Sequence, residues 1–144
     1  MTNSPQFRVR LVGWREASAT LTRIRTTVFV VEQNVPAGLE MDGRDGDCAH
    51  ALAETADGEP IGTGRLMPDG RIGRMAVLAS WRGRGVGAAI LDALMAEAKR
   101  RGFRETYLHA QSHAQAFYAR HGYVVEGDEY LEAGIPHIGM RATL

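Results

Sequence analysis

The run Arg82-Gly83-Arg84-Gly85-Val86-Gly87 combines residue types and spacing that can hold an anion. Its glycines leave successive backbone N–H groups unshielded, and the apolar-striped segment that follows reads as a helix whose positive dipole end adds to them. Phosphate or pyrophosphate is the natural guest. A second group of chemically able residues is Glu40, Asp42, Asp45 and Asp47, interleaved with glycines in the stretch 38–47. They read either as a solvated acidic loop or as carboxylates, Glu40 foremost, that face a cleft and attract a cationic amine. Groups able to take a proton include Glu40, His50, Glu132 and His137, although a lone histidine is more often a structural hydrogen-bonder. His109 and His113 are spaced i, i+4, but a strand end precedes a helix start there; no H-E-x-x-H pattern occurs, and no metal is expected.

Spacing discriminates between phosphate ligands. A Walker loop requires Gly-Lys followed by Ser or Thr, whereas Ala88 and Ala89 follow the last glycine here. A dinucleotide fingerprint fits better on paper, since Gly83-Arg84-Gly85-Val86-Gly87-Ala88 satisfies G-x-G-x-x-A. Yet the segment 78–82 separates it from the preceding strand, and Glu105 opens the next strand where a ribose-binding acid should close it. The remaining pattern is Arg82-x-x-Gly85-x-Gly87.

That pattern resembles motif A of the GNAT superfamily, the acetyl-CoA-dependent N-acetyltransferases. Downstream, Gln111-x-x-Ala114-x-x-x-Tyr118-x-x-x-Gly122-Tyr123 is similar to the amide, Ala, Tyr and Gly-aromatic series that closes the cofactor site in that family. The stretches VFVVEQNVP and EAGIPH resemble its small bacterial ElaA-like branch, so the likeness spans most of the chain.

The resemblance implies acetyl-CoA as cosubstrate. Its thioester would lie beside Met75, Ala76 and Val77, whose amides hold the pantetheine and polarise the carbonyl. Its pyrophosphate would rest on the loop Arg82, Gly83, Arg84, Gly85, Val86, Gly87 and Ala88, with the Arg82 and Arg84 guanidiniums as charged supplements. Gln111, standing where the family often has Asn, completes the cofactor site with Ala114 and Phe117. Tyr118 is the implied general acid; a phenol near 10 and a thiol roughly 1.5 units lower differ modestly, so water can also deliver the proton. Many relatives carry a Glu on the strand before the glycine loop, but the residues Arg71, Ile72, Gly73 and Arg74 include no carboxylate. The base therefore comes from Glu40, His50, Glu132 or His137, the last three also being candidate substrate contacts, or is water. The acceptor is a small-molecule or protein amine. Rival readings are an acyl-CoA sensor that has lost the base, a dinucleotide-binding protein, and an RNA-binding module using RGRG, which a single copy and a net charge of +0 disfavour.

The elements that must position these groups follow from periodicity. The segment 7–14 alternates as a half-buried strand, and from Ala17 the period becomes helical through Leu21, Ile24, Val28 and Val31, ending before Pro36. Strands at 49–55 and 61–67 join through Asp57-Gly58, and Asp69-Gly70 leads into a strand before the glycine loop. Val86, Ile90, Ala93 and Leu94 form a helical stripe that Lys99, Arg100, Arg101 and Gly102 terminate. A strand at 106–110 should run parallel to the one before the loop through a right-handed crossover. Ser112-His113-Ala114-Gln115 fits a capping box for a short helix stopping at Gly122, and 123–125 and 137–143 read as the last strands. The order matches a mixed α/β (α+β) GNAT acyl-CoA N-acyltransferase fold: a central, mostly antiparallel sheet with a parallel splayed pair, flanked by helices.

The chain's 144 residues suit one domain, 1–144, and 44% hydrophobic with 24% charged residues is ordinary for a soluble globular protein. Lys plus Arg and Asp plus Glu balance at 17 each, so no global field recruits nucleic acid or an anionic membrane. Cys48 is the single cysteine and reads as packing. The segment 1–10 lacks the apolar core of a secretory signal, and no run approaches the ~20 apolar residues of a membrane span. A cytoplasmic monomer or homodimer is expected.

Overall fold

Two Asp-Gly turns, with Gly58 at φ 84° and Gly70 at φ 94°, fold the first half of the chain back on itself. In the computed structural model, which describes residues 6–144, they link strands β2 (Ala49–Thr55), β3 (Pro60–Leu66) and β4 (Ile72–Val77). With β1 (Phe7–Val12) these strands form an antiparallel sheet in the order β1-β2-β3-β4. A second antiparallel sheet, β5-β7-β6, is built from β5 (Glu105–Gln111), β6 (Val124–Glu132) and β7 (Ile135–Thr143). Parallel contact between β4 and β5 is limited to one bridge, Arg71 to Tyr107, where the Tyr107 N–H donates to the Gly70 carbonyl at 3.2 Å. The single central sheet expected from the sequence is thus two sheets that touch at that bridge. The opening half of the segment 1–10 lies outside the described residues.

Helices α1 (Trp14–Arg25) and α3 (Val86–Arg100) cover opposite faces of the first sheet. Ala51 and Ala53 face the α3 cluster of Val86, Ile90, Leu91 and Leu94, whereas Leu52 and Ala76 join Leu21, Ile24 and Val28 of the α1 layer. Burial on both faces explains the run of alanines in β2. α3 ends as its sequence predicts: Gly102 takes φ 91°, its N–H donates to the Lys99 carbonyl, and the Phe103 N–H reaches back to Ala98, each at 3.0 Å. Arg100 and Arg101 do more than oppose the dipole. They clamp the buried Glu97 carboxylate at 2.7 Å and hold it down to about 2.

β4 carries the distortion that matters for the site. Thr63 pairs with Ala76 and Arg65 with Gly73, so Gly64 faces both Arg74 and Met75, and Arg74 adopts φ 50°. This two-against-one bulge bends the strand. Gly64 is required because an added Cβ would lie 2.7 Å from both Ile90 Cγ2 and Met75 Sδ.

Several expectations need correction. α1 begins at Trp14 rather than Ala17, and from Thr26 to Glu32 the chain widens into a π-helix, with the Gln33 N–H donating to the Val28 carbonyl five residues back at 3.2 Å. The wider turn rotates Val31 off the expected apolar face, leaving it 69% exposed. The acidic stretch 38–47 is no solvated loop: it contains a short helix α2 (Ala37–Glu40) and a 3₁₀ turn (Asp45–Asp47), with Glu40 and Asp45 buried. Ser112 does not cap the next helix. Its hydroxyl donates to Glu129 at 2.8 Å, and a 3₁₀ turn (Ser112–Ala114) leads into α4 (Gln115–Ala119) without a side-chain cap. Finally, β6 and β7 are longer than read. A bulge between Glu126 and Tyr130 absorbs Gly127, and Ala133 and Gly134, both at positive φ, close the hairpin.

Candidate active site

Beyond the Arg71–Tyr107 bridge, residues of β4 and β5 line a cleft of about 640 Å³ whose remaining walls come from the π-helix, α4 and the β6–β7 hairpin. On the β4 wall the Leu78 N–H is given to the Ile61 carbonyl at 2.9 Å. Strand alternation then turns the Ala76 N–H toward β3 and those of Met75 and Val77 toward the cleft. Of the three positions expected to polarise a carbonyl, Met75 and Val77 offer amides to the cleft. Ala76 belongs to the sheet, and its side chain to the α1 layer.

A second recess of about 400 Å³ lies over the glycine loop. Gly85, at φ 85°, caps α3, and the first helical bond runs from the Ala89 N–H to the Gly85 carbonyl at 3.1 Å. Val86, Gly87 and Ala88 therefore have no intrahelical acceptor for their N–H groups. Val77, Arg82, Gly87 and Phe117 border both recesses, so the loop and the cleft form one continuous path. Phe117 packs on Gly87, where an added Cβ would stand 3.6 Å from its Cζ. The arginines of the loop are used differently from the expectation. Arg82 ties the end of β4 to the π-helix, donating from Nε to the Val77 carbonyl at 3.0 Å and from Nη2 to Glu32 at 2.7 Å. The Arg84 guanidinium stacks on the Trp81 ring, 4.7 Å from its centroid. Arg120 and His121, absent from the sequence-based set, line the recess together with Arg82, whereas Arg84 does not. Their signal was present: they follow Phe117 by three and four residues, and His121 packs against it at 5.0 Å.

Tyr118 borders the cleft from α4, and its hydroxyl has no protein partner among the described residues. Burial, and to a lesser degree Tyr123, pushes the phenol up to about 12. Gln111 and Ala114 also line the cleft, but the Gln111 amide exchanges hydrogen bonds with Gln33 at 2.9 and 3.4 Å and so joins β5 to the π-helix. Among the proton-accepting candidates the structure separates sharply. His137 and Glu132 line the cleft; His50 does not, being buried under Trp14 with Nε2 2.9 Å from the Asp45 carbonyl. His137 Nδ1 donates to the Ile135 carbonyl at 2.7 Å, which fixes the proton on that nitrogen and leaves Nε2 with its lone pair. Glu132 stands 3.5 Å from that Nε2. The neighbouring His109 ring shares a hydrogen bond with the Tyr130 hydroxyl through Nδ1 and is kept below its ordinary value by burial and then by the charge of Arg71.

The profile of the acetyltransferase (GNAT) domain family matches residues 17–144. The chain belongs to the GNAT acetyltransferases. A Bacillus subtilis (strain 168) protein named an uncharacterized N-acetyltransferase, YjcF, is 44% identical over 122 residues, covering 81% of this chain and 86% of that protein. Among solved structures, an acyl-CoA N-acyltransferase from Pseudomonas aeruginosa is 36% identical with a TM-score of 0.83, and Escherichia coli ElaA is 32% identical with a TM-score of 0.84; each match covers 94% of this chain and 99% of the other. The protein is an acyltransferase of this fold.

In this GNAT enzyme Glu40 reaches the cleft wall and is 3% exposed. Its Oε1 accepts the Arg25 Nε–H and lies 3.7 Å from Arg74 Nε, whereas Oε2 has no hydrogen-bond partner among the described residues, so the carboxylate is anchored at one oxygen. Arg25 also donates to Asp45 at 2.6 Å, Arg65 bridges Asp45 and Asp42, and Arg74 reaches Asp42 at 3.4 Å. The network braces the bulged strand against α1 and the acidic segment. No helix is long and apolar enough to cross a membrane, and no cluster of three or more His, Cys, Asp or Glu suited to a metal occurs among the described residues.

Proposed function

We propose that the protein transfers an acetyl group from acetyl-CoA to a primary amine by direct attack while both substrates are bound. The observation that carries this reading is the continuous path from the open amides of Val86, Gly87 and Ala88, past Phe117, to the amides of Met75 and Val77 in a cleft that also holds Tyr118 and His137. The fit is chemical: a helix N-terminus bordered by Arg120 suits a pyrophosphate, and a narrow channel of Val77, Gly87 and Phe117 suits a pantetheine arm. Acetyl-CoA supplies an acyl group activated as a thioester.

The residues divide the work as follows. His137 Nε2 removes the proton of the attacking amine, and Glu132 stabilises the imidazolium that forms. The Met75 and Val77 N–H groups meet the negative charge that builds on the carbonyl oxygen. Tyr118 faces the departing sulfur. Burial pushes its phenol up to about 12 and disfavours a bare thiolate beside it for the same reason, so Tyr118 meets the sulfur as a hydrogen-bond donor and general acid.

Thiol release from acetyl-CoA, followed with a panel of amines, tests the reading. Turnover is expected with at least one amine, and Tyr118→Phe lowers kcat about 10- to 100-fold through loss of a hydrogen bond to a charged sulfur, with acetyl-CoA affinity retained. Full activity in the variant would remove Tyr118 from the mechanism, and absence of turnover with every amine would favour the acyl-CoA sensor.

A further inference from the structure

We propose that the acceptor amine carries a carboxylate and that the Arg71 guanidinium binds it, an inference that rests on the acetyl-transfer reading above. Among the arginines lining the cleft, each but Arg71 has its charge answered from within the protein. Arg65 donates to Asp42 at 2.8 and 3.0 Å and to Asp45 at 3.0 Å. Arg74 donates to the Glu40 carbonyl and to Asp42, and Arg82 pairs with Glu32. Arg71 has no carboxylate partner among the described residues. Its backbone N–H, not its guanidinium, meets Asp69 at 3.1 Å, and the other oxygen of Asp69 takes the Tyr107 hydroxyl. The guanidinium is half-buried on the cleft wall, close enough to His109 to help keep that ring neutral.

Of the carboxylates at the cleft, Glu40 is already faced by the Arg25 and Arg74 guanidiniums, and Glu132 stands half-exposed beside His137. The acceptor end of the cleft thus presents an unanswered planar cation, the group best matched to a carboxylate in a bidentate pair. Beside it, the His109 ring, hydrogen-bonded through Nδ1 to the Tyr130 hydroxyl, lines the same wall. This reverses the expectation that acidic residues recruit the substrate. Arg71 sits at the bridge where the two sheets close, and Met75 follows it by four positions, at most ~13 Å at ~3.3 Å per residue and less across the bulge at Arg74. The carboxylate is accordingly separated from the reacting nitrogen by a spacer.

The test uses the full chain with acetyl-CoA and ω-amino acids graded from glycine to 6-aminohexanoate, each compared with its amide. At one or more chain lengths beyond glycine, kcat/KM for the acid exceeds that for the amide by about tenfold or more. Arg71→Gln brings that ratio close to one, and Arg71→Lys leaves it intermediate. The ratio is internal to each preparation, so a partly unfolded variant does not mimic the effect. A wild-type ratio near one, or a ratio unchanged in Arg71→Gln, overturns the proposal. An Arg71-dependent preference for succinyl-CoA over acetyl-CoA, with no acceptor ratio, assigns the carboxylate to the acyl donor and also overturns it. If acetyl-CoA is consumed with other amines of the panel but with none of these acids, this inference is overturned and the acetyl-transfer reading stands; if it is consumed with no amine at all, that reading fails and this inference falls with it.

Discussion

Arg25→Met lowers the free energy of unfolding by about 3–5 kcal/mol, the range for removing one partner of a buried ionic network. Arg25 is 1% exposed and is shared by Glu40 and Asp45, with a further donation from Nη2 to the Glu40 carbonyl at 3.3 Å. Arg25, Arg65 and Arg74 balance Glu40, Asp42 and Asp45 in number, and deleting one cation leaves surplus negative charge beneath the surface. The pH dependence has a fixed sign. The hydrogen bond from Arg65 holds the Asp42 carboxyl well below its usual range; burial pushes Asp45 up, but Arg25 and then Arg65 outweigh it and hold it down as well. Carboxyls lowered in the folded state contribute stability that is present above about pH 4 and is lost as the pH falls toward their folded values. Urea unfolding of wild type and variant at pH 7 and near pH 3 reads both effects: the gap is widest at pH 7 and narrows below about pH 4. A variant within 1 kcal/mol of wild type at pH 7 would show that the network carries no structural burden and that Glu40 is free for chemistry.

His137→Gln lowers kcat/KM by about 10²- to 10⁴-fold, the range for a positioned general base. Glutamine can still donate to the Ile135 carbonyl, so the hairpin is preserved while the proton-accepting lone pair facing Glu132 is lost. The diagnostic readout is the split between constants: kcat falls while the KM for acetyl-CoA is unchanged. Retention of the wild-type rate would move the proton acceptor elsewhere, with His109, kept neutral by burial beside Arg71, the next residue to replace.

The legible parts of this molecule are those where local rules decide. The glycine loop, the stripe and Gly102 stop of α3, and the two Asp-Gly hairpins follow from backbone conformations and periodicities contained in a few consecutive residues. The open amides of Val86, Gly87 and Ala88 were legible for the same reason, since they belong to one loop and the helix it opens. Illegible parts depend on partners distant in sequence. Glu40, Asp42 and Asp45 looked solvated because nothing near them in the chain marks Arg25, Arg65 and Arg74 as their neighbours in space. Ser112 satisfies the local capping pattern but finds Glu129 across the hairpin, a tertiary contact overriding a local one. The π-helix breaks the 3.6-residue period from within, where Gln33 turns to meet Gln111 and Glu32 to meet Arg82. The strand read at 123–125 stops short of Gly127 and Asp128, where a bulge and a turn share the same residue types.

Calorimetric titration with acetyl-CoA, NAD and NADP, on the wild-type chain and on Gly85→Glu, tests the central claim most directly. Gly85 caps α3 at φ 85°, so the substitution both strains the loop and sets a carboxylate at the open amides. Micromolar binding of acetyl-CoA, weakened about 100-fold or more in the variant and not shared by either dinucleotide, is the predicted result. Failure of the wild-type protein to bind acetyl-CoA, or binding of NAD or NADP in its place, would contradict the assignment of the glycine loop and of the cleft it feeds.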